Sequence, residues 1–98
     1  MTGNEKEKLV DILSVLHLMP TNIRVDDYST KTAIETMINS PERLTYANKR
    51  SLEKIITKRI RQEVDNMCPN GEVNIDKSLE ASKNILALSE LYRTFVLQ

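Results

Sequence analysis

Cysteine occurs once, at Cys68, so no disulfide can close within the chain and no Cys/His cluster is present to hold a structural metal. A lone thiol fits a reducing compartment. Glycine occurs twice and proline three times, too few to punctuate the many short turns of a β-sandwich or barrel. Tryptophan is missing and the aromatics are three tyrosines and one phenylalanine, so the interleaved stacking residues of single-strand nucleic-acid binders are lacking. No apolar run reaches the length of a membrane span, and Glu5 and Glu7 stand where a targeting segment would be basic. The expectation is a cytoplasmic protein without membrane association.

What is present is the material of helices. At 40% hydrophobic and 29% charged residues, the chain is too apolar for disorder. Ninety-eight residues support one domain, residues 1–98, with a modest core. The stretch from Lys49 to Met67 carries Leu52, Ile55, Ile56, Ile60, Val64 and Met67 at steps of three and four, which places them along one side of a helix. Upstream, Leu9, Ile12, Leu13, Leu16 and Met19 make a stripe from Glu5 to Met19, with Pro20 forcing an end. A further helix is expected from about Ser29 or Thr32, with Thr32 and Glu35 fitting a capping box. Ser40-Pro41 then signals a restart, Ser40 capping and Pro41 in the first helical position.

Phase decides whether that restart continues into the long helix. Counted at about 100° per residue from Ile56, Leu44 lies about 120° and Ala47 about 180° off the stripe. A break near Asn48 to Ser51 is therefore expected, leaving Pro41 to Ala47 as a short helix. Cys68-Pro69-Asn70-Gly71 ends the long helix and supplies positive φ for a turn. Asp76 is the expected cap of the last helix, whose apolar face runs from Ala81 through Ile85, Leu88, Leu91, Tyr92 and Phe95 to Val96. The fold class that follows is all-α. It is a small bundle of four to five helices, with the long helix of about 49–67 paired antiparallel with a C-terminal helix of about 77–97.

Chemistry is sparse. Aligning Gly71 with the glycine of a calcium loop puts Asn66, Cys68, Asn70 and Lys77 at ligand positions, and a lysine where a bidentate carboxylate is needed repels the ion. His17 stands alone, without a nucleophile motif, and reads as a core or boundary histidine. Asp26 and Asp27, adjacent before a helix, offer a divalent-ion site or a helix cap, and read as dipole partners of that helix in preference to a metal site. No catalytic residue, metal ligand or cofactor site is assigned, and the chain is read as no enzyme.

Charge is zero overall but unevenly placed: Arg43 to Arg61 holds seven basic residues against one acidic, the remainder seven basic against thirteen acidic. Arg50, Lys54, Lys58 and Arg61 form a basic ridge along the long helix, about two and a half turns long. Such a ridge can meet an acidic protein surface, lie along phosphates, or simply be solvated. Arg59 and Glu63 fall inside the apolar arc four residues apart. They can pair and fix register in an interface, or Arg59 can carry its charge out to water over an apolar stem. The reading is a small non-catalytic regulator or adaptor that docks on a protein partner with an acidic surface, with homodimerisation through the first or last helix as a further option. The alternative is a nucleic-acid-binding regulator using the ridge. The lysine, isoleucine and asparagine usage of so small a chain suits a phage or other mobile-element protein.

Overall fold

The computed structural model describes residues 3–97. It is 82% helical, with four α-helices and, among the described residues, no strand. The helices are α1 (Gly3–Val15), α2 (Tyr28–Asn39), α3 (Tyr46–Met67) and α4 (Ile75–Leu91). By packing, the chain divides into two compact units, one up to Leu52 and one from Glu53 onward, with α3 contributing to both.

In the first unit α1 packs on α2. Leu9, Leu13, Leu16 and Leu18 are buried in and after α1, and Ala33, Ile34, Met37 and Ile38 along α2. Lys6 Nζ donates to Asn39 Oδ1 at 3.2 Å, tying the start of one helix to the end of the other. The end of α1 departs from expectation. Pro20 would allow the helix to reach Met19, yet it stops at Val15 because His17 takes a left-handed conformation, φ 57°. The Leu18 N–H then donates to the Leu13 carbonyl at 2.8 Å and the His17 N–H to the Ser14 carbonyl at 3.1 Å. This pair of bonds satisfies carbonyls that the helix end would leave open and turns Leu18 back onto Leu13, both side chains buried. His17 is consequently exposed, and not a core or boundary residue.

Three further caps correct the expected ones. Asp27, whose carboxylate accepts from the Thr30 N–H at 3.2 Å, begins α2 at Tyr28, so Thr32 and Glu35 lie within the helix. Ser40 makes no side-chain cap, and the segment after it is a single 3-10 turn, Pro41–Arg43, in place of a helix to Ala47. The break falls at Leu44 and Thr45, ahead of the expected 48–51. There the Asn48 N–H donates to Thr45 Oγ1 and the Thr45 N–H to Asn48 Oδ1, each at 3.1 Å. Two donors at the mouth of a helix are satisfied reciprocally, and α3 starts at Tyr46.

In the second unit, residues 53–67 of α3 run antiparallel to α4, as expected from their short link. Ser78 Oγ donates to the Met67 carbonyl at 3.1 Å across that link. The turn between them uses positive φ at Asn70 (58°) and Gly71 (78°), the conformations that Asn-Gly adopts with least strain. Asn74, accepting from the Lys77 N–H at 3.0 Å, caps α4 in place of Asp76, which sits in the first turn. Ile56, Ala81, Leu88 and Leu91 are buried. Val64, expected on the apolar stripe of α3, is 51% exposed. After Leu91 the helix widens into a π-helical turn, Tyr92–Val96, so the expected helix to about Leu97 continues with its last turn in π form.

Candidate docking surface

The basic ridge is a product of helix α3 alone. Arg50, Lys54, Lys58 and Arg61 fall within about 80° of one another on the helical wheel, spread over about 16 Å of axis. All four are exposed. Among the described residues, Lys54, Lys58 and Arg61 make no ion pair, whereas Arg50 reaches back to Tyr46. Its guanidinium carbon sits 5.9 Å from the ring centroid and its Nη1 lies 3.5 Å from the phenolic oxygen. Tyr46 is 75% exposed. This aromatic was missed in the sequence, where position 46 fell in the expected short helix preceding the ridge. Its place one turn before Arg50 becomes visible once the helix is known to start there.

The one hydroxyl on the ridge is turned inward. Thr57 Oγ1 lies 2.7 Å from the Glu53 carbonyl and 3.1 Å from that of Lys54, bonding to its own helix and not outward. Acidic residues border the ridge as well: Glu53 lies about 60° to one side of Arg50, and Asp65 lies within the ridge's own arc, about 40° from Arg61 and one turn past it.

Arg59 and Glu63 do pair, Nε to Oε1 at 3.2 Å, with side chains 24% and 7% exposed. The carboxylate is thus drawn into the packed side of α3, and the arginine lies over it at the boundary. Such a pair orients two long side chains more than it stabilises the fold.

Other polar features carry less. An open concavity of about 330 Å³ in the first unit is lined by Glu35, Thr36, Asn39, Ser40, Arg43 and Asn48. Three of its side chains already serve the fold: Asn48 caps α3, Asn39 receives Lys6, and Thr36 Oγ1 donates to the Thr32 carbonyl at 2.9 Å. No nucleophile with an oriented base lines it. Asp26 pairs with Arg24 at 3.4 Å in solvent, Cys68 is exposed, and among the described residues no group of three or more His, Cys, Asp or Glu side chains is placed to hold a metal ion. No described helix is long and apolar enough to cross a membrane.

Compared with known protein families, curated proteins and solved structures, the chain shows no match in any of the three.

Proposed function

We propose that the protein is a non-catalytic helical binding module that docks on an acidic protein surface through the outward face of α3. The observation that carries the reading is the composition of that face. Four exposed cations lie in line and are headed by an exposed tyrosine stacked against the first of them. Tyrosine and arginine are among the residue types that anchor protein interfaces, tyrosine because it covers a large area with few torsions to fix and arginine because its planar fork of donors meets carboxylates in pairs. A polyphosphate is a poorer fit. The ridge is short, its hydroxyl is bonded to its own backbone, and Glu53 and Asp65 repel an anionic strand that would have to run past the four cations. A protein partner can answer those two carboxylates with cations of its own.

The test compares the native chain with the variant Arg50→Glu, Lys54→Glu, Lys58→Glu, Arg61→Glu, both checked for equal helicity. Affinity capture from the host, followed by titration of the purified partner, should give binding that the variant loses by at least about a hundred-fold, in line with loss of several charge pairs. Equal capture by both chains overturns the reading. Binding to duplex DNA or RNA that falls steeply between low and moderate salt replaces it with nucleic-acid recognition.

A further inference from the structure

Helix α4 carries two apolar faces, and one of them is uncovered. Ala81, Leu88 and Leu91 are buried. On the opposite side, Ile75, Leu79 and Leu86 are 73%, 60% and 70% exposed, within about 40° of one another on the wheel. With Ser82 and Ser89 they follow steps of four, three, four and three, which is the seam spacing of a coiled coil.

From this pattern we infer that the outward face of α4 pairs antiparallel with the same face of a second copy. The charges select that occupant and that direction. Asp76 and Lys83, both exposed, occupy the same flank of the seam seven residues apart. When two copies of α4 run antiparallel about a two-fold axis between residues 80 and 81, Ile75 meets Leu86 of the other copy and Leu79 meets Ser82. In the same register Lys83 comes beside Asp76 of the other copy, twice by symmetry. Every layer sets a large side chain against a small one or two aliphatic ones together, and each flank cation has an anion. A register shifted by one heptad toward the C-terminus brings Lys83 against Lys83 and Asp76 against Glu90. A parallel pairing sets serine on serine and gives Lys83 only Ser78. An isologous contact needs this kind of self-complementarity.

The overlap is about twelve residues, or roughly 18 Å, and buries less than the 1,200–2,000 Å² of durable complexes, so the dimer is a weak one, with Kd on the order of 0.1 mM. The inference is independent of the reading of α3, whose ridge takes no part in it.

Sedimentation equilibrium from about 20 µM to 1 mM tests it, since this range brackets the expected Kd. The expected result is a mass rising from 11.3 kDa toward twice that value. Leu79→Glu should hold the chain monomeric throughout without loss of helicity, because Leu79 is exposed in the monomer. Lys83→Glu should weaken association roughly five-fold, and adding Asp76→Lys to it should restore most of the loss, as two exposed ion pairs would. A mass that stays at 11.3 kDa up to the highest concentration overturns the inference. So does a dimer that Leu79→Glu leaves intact, or a charge swap no better than Lys83→Glu alone.

Discussion

A left-handed residue with a β-carbon crowds its own carbonyl, and His17 bears that strain to close α1. The side chain is exposed, so little packing depends on it. His17→Gly should therefore stabilise the protein by about 1 kcal/mol, the left-handed penalty less the extra freedom glycine gives the unfolded chain. In a chain of this length that raises Tm by about 4–8 °C in a thermal melt followed by circular dichroism. His17→Val, branched at the crowded carbon, should move Tm the other way; a lower Tm for the glycine variant would show that the turn is held by something other than backbone geometry. The same scale decides what Glu63 does. Arg59→Met leaves a carboxylate 7% exposed without its partner and should destabilise by about 2–3 kcal/mol, while Arg59→Met with Glu63→Leu should recover most of that, since a well-packed apolar pair avoids desolvating two charges. Urea titrations of the two single variants and the double variant measure the coupling directly. If the double variant is no better than Arg59→Met alone, the pair contributes net stability and not only orientation.

At the scale of elements, the structure depends on which of several competing caps is used. Thr45 and Asn48 share the start of α3, so Thr45→Ala should cost about 1 kcal/mol in urea unfolding, while Ser40→Ala, at a position with no side-chain cap, should stay within about 0.5 kcal/mol of the native chain. The opposite order would return the helix start to Ser40. These two positions also show how far the sequence could be read. The helices themselves are legible, because Leu9, Leu13 and Leu16, or Leu52 and Ile56, recur at helical spacing and are buried as that spacing implies. Their ends are not. Ser40, Thr32 and Asp76 have the chemistry of caps, and so have Thr45, Asp27 and Asn74, which do the capping; only tertiary packing chooses between them. Phase placed the break before α3 a few residues late because the first turn of that helix, with exposed Tyr46 and Ala47, adds nothing to the apolar stripe. The ridge was legible as spacing on that helix. Its tyrosine was hidden by the misplaced boundary, and the seam of α4 was hidden because Leu79 and Leu86 lie off the expected apolar face and Ile75 ahead of the expected helix start, so that only their exposure brings the three together.

For the whole molecule, a net charge of zero conceals a segment, Arg43 to Arg61, six charges positive against a remainder six charges negative. A chain so divided can attract its own copies without any apolar contact, positive segment to negative remainder. The attraction is strongest where net charge no longer opposes it, at the sequence pI of about 6.6, and it is screened over about 10 Å in 0.1 M salt. Turbidity at millimolar protein and low ionic strength should therefore peak near pH 6.6 and clear when salt is raised to about 0.3 M. Reversing Arg50, Lys54, Lys58 and Arg61 to glutamate removes eight charges from a net of zero, which should abolish the peak at that pH and leave the solution clear at low salt. Salt separates this association from the α4 pairing, because burial of Ile75, Leu79 and Leu86 is strengthened, not weakened, by a salting-out anion such as sulfate. Turbidity that survives both added salt and charge reversal, yet disappears with Leu79→Glu, would assign self-association to the apolar seam alone and leave the dipole without a part in it.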